Sequence, residues 1–163
     1  MLVGVVSDTH NNQKNIDKII SIFNQEKVDF VIHTGDIASS KALERFSELN
    51  CKLIGVYGNN DREEIGLNEV ANRYNFNFQE PPYPITIQER SIVIFHEPDK
   101  IDCYLEKNKD IDVILHGHTH RYRNESKNGV LIFNPGESAG MSKGRNALGF
   151  IDLKNLVVKR IFF

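Results

Sequence analysis

Side chains that could bind metal ions follow five apolar runs along this chain. The set contains two carboxylates, one amide and four imidazoles, namely Asp8, His10, Asp36, Asn59, His96, His118 and His120. Divalent ions of the first transition series accept mixed nitrogen and oxygen ligands of this kind. A single Zn²⁺ ion takes three or four protein ligands, so seven candidates predict two ions with one aspartate bridging them.

Each candidate ligand lies just beyond a run that predicts a buried strand. These runs are residues 2–6, 30–33, 52–57, 91–95 and 112–115. Ligands of open α/β sheets bind beyond the carboxyl ends of the strands, so we expect the following loops to meet in one crevice. Gly35, Gly58 and Gly117 lie beside the candidate ligands and would allow sharp turns there.

Helical spacing of apolar residues separates the first three predicted strands. The two faces are Ile16, Ile19, Ile20 and Phe23, and then Ala42, Leu43, Phe46 and Leu49. Asn11 or Asn12 would cap the first helix, and Ser39 or Ser40 the second. A weaker helical pattern covers residues 67–74. This alternation of strand and helix predicts a parallel sheet.

The second half of the chain predicts further strands with fewer helices. Residues 85–88 and 91–95 would form a hairpin around Glu89 and Arg90, and residues 98–108 a helix. Asn128 and Gly129 form a hairpin signal before further strands at 130–134, 147–153 and 156–163. We predict one α/β domain over residues 1–163, parallel at the start and mixed or antiparallel later.

Composition indicates a globular chain that does not capture nucleic acid broadly. The 163 residues include 40% hydrophobic and 26% charged residues, with a net charge of −2. The two cysteines, Cys51 and Cys103, are too few for a disulfide framework and fit a reducing compartment. The sequence contains neither a signal-peptide pattern nor a membrane-spanning run, so we expect a soluble, cytoplasmic protein.

Six short motifs carry a resemblance to a known family. They are "SDTHNN", "IHTGDI", "YGNND", "FHE", "GHTH" and "NPGE", and they span residues 7–137. Together they resemble the calcineurin-like metallophosphoesterase superfamily, in its small single-domain phosphodiesterase branch of bacteria and archaea. The resemblance implies a four-layer α/β sandwich, in which two mixed β-sheets are flanked by helices on both outer faces.

The resemblance also implies a role for each candidate ligand. Asp8, His10 and His120 would hold the first metal, Asn59, His96 and His118 the second, and Asp36 would bridge both. A metal-bound hydroxide would attack a small phosphodiester substrate, with Asn59, Asp36 and His10 as the catalytic residues. The resemblance implies two divalent ions, with Mn²⁺ expected and Ni²⁺, Zn²⁺ or Fe as alternatives.

Two positions depart from the family pattern. Asn60 replaces a histidine that is thought to protonate the leaving oxygen, and an amide cannot act as a general acid. We therefore expect diesters whose leaving groups need little protonation. Glu97 stands where the family usually has glycine; it could join the ligands of the second metal, but we expect it to stay outside them.

Other polar residues near the motifs have simpler explanations. His33 and His116 are expected to be buried and not to bind metal, and Asn134 and Gly136 to shape a turn beside the site. Three further residues could contact phosphate or simply be solvated, namely Asn11, Arg62 and Arg121. Asn11 could instead cap a helix.

Two alternative functions stay open from the sequence. The superfamily contains a retromer coat subunit with an interaction role, and Asn60 and Glu97 would fit a similar scaffold. A nuclease is disfavoured, because 163 residues with a net charge of −2 leave no room or charge for DNA-binding elements. The segment 156–163 could be an edge strand or an interface, which leaves a homodimer open.

Overall fold

The computed structural model describes residues 1–142 and 144–163, which form two mixed β-sheets. Four α-helices lie in this described part: α1 (Gln13–Glu26), α2 (Ser40–Arg45), α3 (Leu67–Arg73) and α4 (Ile101–Lys107). The strands are β1 (Leu2–Val6), β2 (Phe30–His33), β3 (Lys52–Val56), β4 (Asn77–Gln79), β5 (Tyr83–Ile87), β6 (Arg90–Ile94), β7 (Val113–Leu115), β8 (Arg123–Lys127), β9 (Val130–Asn134), β10 (Ala147–Asp152) and β11 (Val157–Phe162).

The strand order explains how distant motifs come together. The first sheet has the order β11-β10-β1-β2-β3-β4, in which β1 to β4 are parallel and β10 and β11 antiparallel. The second sheet has the order β5-β6-β7-β9-β8, with a parallel centre between two antiparallel edge strands. The prediction of a parallel start and a mixed later part is confirmed, and β11 is an edge strand.

Three apolar layers hold the sheets and helices together. Successive side chains of a strand point to opposite faces of its sheet. In β1, Val3 and Val5 therefore face the second sheet, whereas Val6 packs under the helices. Helices α1, α2 and α3 cover the outer face of the first sheet. Ile101 of α4 packs on the outer face of the second sheet. The predicted four-layer sandwich is therefore confirmed.

The helices begin and end close to the predicted positions. The Asn12 side chain, not that of Asn11, caps α1 by accepting a hydrogen bond from the backbone N–H of Asn15 (3.1 Å). Ser39 caps α2, which ends at Arg45; a 3₁₀ turn over Phe46–Glu48 then leaves Leu49 outside the helix. The predicted helix 98–108 is also shorter, because Pro98–Lys100 form a 3₁₀ turn before α4. Among the described helices, none has the length and apolarity needed to cross a membrane.

The hairpin of β5 and β6 turns one residue earlier than predicted. Gln88 and Glu89 form the turn with φ angles of 47° and 62°, whereas Arg90 belongs to β6. Arg90 is held there because its guanidinium group donates hydrogen bonds to Asp112 Oδ1 (2.8 Å) and to the Leu153 carbonyl (3.1 Å). The Asn128–Gly129 turn is confirmed between β8 and β9, with φ angles of 53° and 84°.

Candidate metal centre

The loops after β1 and β2 are joined along their backbones at the carboxyl ends of the strands. The Asp8 N–H donates to the Gly35 carbonyl (3.1 Å), and the His10 N–H donates to the Asp36 carbonyl (2.9 Å). The loop after β7 joins them, because the His118 N–H lies 3.1 Å from Asp8 Oδ2. Three candidate ligand loops therefore form one rigid wall of the crevice.

Close packing in this crevice requires glycine, most tightly at two positions. A Cβ atom on Gly117 would lie 2.0 Å from Ser7 Oγ, and one on Gly58 would lie 2.2 Å from Asp36 Oδ1. Any larger residue would displace a candidate ligand or its support.

Five of the seven candidate ligands have left-handed backbone conformations. Their φ angles are 51° for Asp8, 45° for His10, 60° for Asp36, 66° for His118 and 55° for His120. L-residues other than glycine seldom adopt positive φ, and such residues cluster at functional sites. These five residues therefore hold backbone conformations that are unfavourable for their residue types.

Asp8, His10 and His120 form the first group of candidate ligands. One ligand atom from each lies within 4.8 Å of the other two. Asp8 is fully buried, and its Oδ1 atom lies 3.5 Å from His120 Nε2. Within the described residues, the buried Nε2 atom of His10 has no hydrogen-bond partner. A buried imidazole nitrogen without a partner, next to a carboxylate, fits a bound cation.

Asp36, His96, Asn59 and His118 continue this arrangement as a second group. His96 donates from Nδ1 to the Thr34 carbonyl (2.8 Å), which directs Nε2 into the crevice. That Nε2 atom lies 3.4 Å from Asp36 Oδ1 and 2.9 Å from Asn59 Oδ1. The His118 Nδ1 atom also lies 2.9 Å from Asn59 Oδ1. Two imidazoles thus converge on one amide oxygen beside a carboxylate.

Asp36 connects the two groups. Its Oδ2 atom lies 3.9 Å from His10 Nε2, and its Oδ1 atom faces His96. Asp8, Asp36 and His96 also form a group whose ligand atoms all lie within 4.8 Å of one another. The structure therefore brings all seven predicted ligands into one connected set, whose nitrogen and oxygen donors are of the kinds that divalent cations accept.

Carboxylates and imidazoles shift each other's acidity in this crevice. Burial raises the pKa of Asp36, but hydrogen bonds from His96 and Asn60 outweigh it and hold that pKa well below its usual range. Burial lowers the pKa of His96, yet Asp36, together with the Thr34 carbonyl and Asp8, outweighs burial and raises it. A hydrogen bond with Asp8 raises the pKa of His120. The Asp36 carboxylate thus stays ionised and favours positive charge beside it.

His33 and His116 are buried beside the site, as predicted. His33 accepts a hydrogen bond from the Gly35 N–H at Nδ1 (3.1 Å), so Nε2 donates to Thr9 Oγ1 (3.0 Å) and ties the first two loops together. Burial lowers the pKa of His33 to about 3 and that of His116 to about 4. Both rings are therefore neutral supports near pH 7.

The Asn134–Gly136 segment forms the predicted turn. Asn134 donates from Nδ2 to the Gly117 carbonyl (3.0 Å) and accepts at Oδ1 from the Gly136 N–H (2.8 Å). The loop after β9 thereby supports the backbone between His116 and His118.

Asp61 is an important residue that the sequence reasoning missed. Its buried carboxylate accepts four backbone hydrogen bonds, from the N–H groups of Asp36 (2.9 Å), Ile37 (2.8 Å), Ala38 (2.7 Å) and Gly58 (2.7 Å). These bonds fix the loop of Asp36 against the loop of Asn59. Its place in the "YGNND" motif was the available signal, because a carboxylate three residues after a turn glycine can accept from nearby backbone N–H groups.

The remaining residues lie at the rim of the crevice. Asn60 is exposed, and its side chain donates from Nδ2 to Asp36 Oδ2 (2.7 Å). Arg62 Nη2 lies 3.7 Å from Glu97 Oε2. Asn11 and Arg121 are exposed, which leaves their proposed contacts with phosphate as predictions.

Carboxylates and imidazoles that meet at the strand ends of a four-layer sandwich, with Asp8, Asp36 and His96 buried, form a metallophosphoesterase-like site. The chain belongs to the calcineurin-like phosphoesterase superfamily, whose domain model matches residues 1–155. It is 35% identical to a phosphodiesterase of Methanocaldococcus jannaschii, over 99% of this chain and 98% of the relative. It is 26% identical to the phosphodiesterase YfcE of Escherichia coli K12, over 99% of this chain and 91% of the relative.

Solved structures agree with this membership. An archaeal phosphodiesterase superposes with a TM-score of 0.90 at 34% identity, and the match covers all of both chains. Vps29 of Entamoeba histolytica in complex with Zn²⁺ superposes with a TM-score of 0.69 at 17% identity, over 99% of each chain. This second similarity concerns the fold alone.

Proposed function

We propose that this protein is a metal-dependent phosphodiesterase that hydrolyses small phosphodiesters at a dinuclear centre. The single observation that carries the proposal is the connected set of seven side chains, in which Asp36 faces both groups of imidazoles. Curated relatives that are named phosphodiesterases add support.

Each group of ligands has a separate task in this proposal. Asp8, His10 and His120 would hold one cation, Asn59, His96 and His118 the other, and Asp36 would bridge them. When bound, the two cations would acidify water as the nucleophile and neutralise charge on the phosphoryl oxygens. Mixed nitrogen and oxygen donors fit Mn²⁺ and equally Ni²⁺, Zn²⁺ or Fe; we expect Mn²⁺.

Metal removal tests this proposal. We expect protein stripped with a chelator to lose turnover of bis-p-nitrophenyl phosphate and to regain it on titration with Mn²⁺, saturating near two equivalents. Elemental analysis of the protein as purified would identify the metal that it carries. Stripped and reloaded protein that hydrolyses the diester no faster than buffer with Mn²⁺ would contradict the proposal and favour a scaffold role.

Asn60 predicts how the rate depends on the leaving group. Its backbone N–H and its amide Nδ2 both donate to Asp36, at 2.9 Å and 2.7 Å, so the side chain orients that carboxylate but has no acidic proton to give. We expect rates across a series of aryl methyl phosphodiesters to fall steeply as the leaving-group pKa rises. Asn60→His should raise the rate for the poorest leaving groups by about 10²-fold, since general acid catalysis contributes at least that much.

An Asn60→Ala variant is the control for this series. It removes the contact with Asp36 without adding an acid, so its dependence on the leaving group should stay as steep as that of the wild type. A flat dependence in the wild type would show that another group supplies the proton.

A further inference from the structure

Two contacts join the loop after β3 to the segment after β6. The first is the approach of His96 Nε2 to Asn59 Oδ1 at 2.9 Å. The second is the ion pair between Glu97 and Arg62, at 3.7 Å between Oε2 and Nη2. Glu97 directly follows His96, and Arg62 lies three residues after Asn59. The ion pair therefore spans the same two segments as the candidate ligands and lies next to them.

Both side chains of this ion pair are partly exposed, so a substrate can approach them. The Glu97 side chain is 33% exposed and that of Arg62 is 54% exposed. Glu97 directly follows the candidate ligand His96, and consecutive Cα atoms are about 3.8 Å apart. One elementary charge so close in the chain to a ligand changes the potential in the crevice, although salt screens part of the effect.

We propose that Glu97 and Arg62 form a charge filter that sets the preference between phosphodiesters and phosphomonoesters. This inference rests on the proposed phosphodiesterase function. A phosphodiester carries one negative charge, whereas a phosphomonoester carries close to two above pH 7. The Glu97 carboxylate repels the dianion more strongly than the monoanion, and the Arg62 guanidinium offsets part of that repulsion. The same repulsion also assists release of the product, because hydrolysis converts a monoanionic diester into a dianionic monoester.

The filter predicts opposite effects for its two members. Glu97→Gln removes one negative charge beside the crevice, which weakens the repulsion of a dianion more than that of a monoanion. We expect the ratio of kcat/KM for p-nitrophenyl phosphate to that for bis-p-nitrophenyl phosphate to rise about 3- to 10-fold. Because Arg62 offsets only part of the repulsion by Glu97, Arg62→Ala should lower the ratio by a smaller factor, and the double variant should leave the ratio above the wild-type value.

Inhibition by inorganic phosphate provides a second measurement. At pH 8 and low salt, we expect the competitive inhibition constant to fall about 3- to 10-fold in Glu97→Gln and to rise in Arg62→Ala. Both changes should shrink as NaCl is raised to 0.5 M. A merely structural role for the pair would not produce opposite signs or this salt dependence.

Glu26→Gln is the matched control, since it removes the same charge from an exposed residue in the last turn of α1. The proposal is overturned if Glu97→Gln changes the ratio of monoester to diester kcat/KM no more than Glu26→Gln does. It is also overturned if Glu97→Gln and Arg62→Ala shift this ratio in the same direction. A wild-type protein that hydrolyses neither ester with Mn²⁺ would instead remove the proposed function itself.

Discussion

Asp36→Asn is expected to lower kcat/KM for bis-p-nitrophenyl phosphate by about 10³-fold or more. The carboxylate faces His10 on one side and His96 on the other, which places it to bridge the two proposed cations. A bound metal supplies several kcal/mol of transition-state stabilisation, and about 4 kcal/mol corresponds to this factor. Asparagine has nearly the same shape, but its amide nitrogen cannot bind a cation.

Metal content should change together with the rate. We expect Asp36→Asn to bind fewer than the two equivalents of Mn²⁺ proposed for the wild type, as measured by elemental analysis after gel filtration. Asp17→Asn is the matched control, because Asp17 is an exposed partner of Arg45 on α1 and lies outside the ligand set. A variant that keeps two equivalents and a rate within 10-fold of the wild type would contradict a bridging role for Asp36.

Asp61→Ala is expected to destabilise the fold by about 4 kcal/mol. The substitution leaves three buried backbone N–H groups and one partly buried one without their acceptor, and each unsatisfied group costs about 1–3 kcal/mol before water relieves part of the loss. For a chain of this size, the melting temperature should fall by about 8–16 °C. Urea and thermal unfolding, both followed by circular dichroism, would measure the two quantities.

Asp61→Asn separates hydrogen bonding from volume at the same position. Its carbonyl oxygen can still accept from two of the four N–H groups, but its amide group presents hydrogens to the other two. The variant should therefore lie between the wild type and Asp61→Ala in stability, and both should lose turnover because Asp36 and Asn59 shift. Unchanged unfolding curves for Asp61→Ala would show that water or other groups replace the carboxylate.

The elements that carry the site could be predicted because their apolar patterns are strong. The runs in β1, β2, β3, β6 and β7 are short, buried and rich in β-branched residues, and the polar residues that follow them are conspicuous. Strands β4 and β8 were not predicted. They are polar edge strands, and "RNESK" in β8 has no apolar alternation, so pairing with a neighbour decides its structure.

The support of the site was harder to predict than its ligands. Asp61 acts through backbone N–H groups 23 to 25 residues away, and no spacing rule connects a carboxylate to such partners. The turn at Gln88–Glu89 was misplaced by one residue because the contacts of Arg90 with Asp112 and Leu153 come from distant segments. The single-domain boundary 1–163 and the metal-binding roles stay predictions.

The left-handed φ angles at five candidate ligands also bear on cation affinity. Each such conformation costs of order 1–3 kcal/mol, and that cost is incurred when the chain folds. Hydrogen bonds to Asp61, His33 and Asp8 keep the loops in this shape. Binding of a cation would then require little further ordering of the backbone, because the crevice already has its shape. Tight binding would come from this preorganised metal-free protein and not from loops that close around the ion.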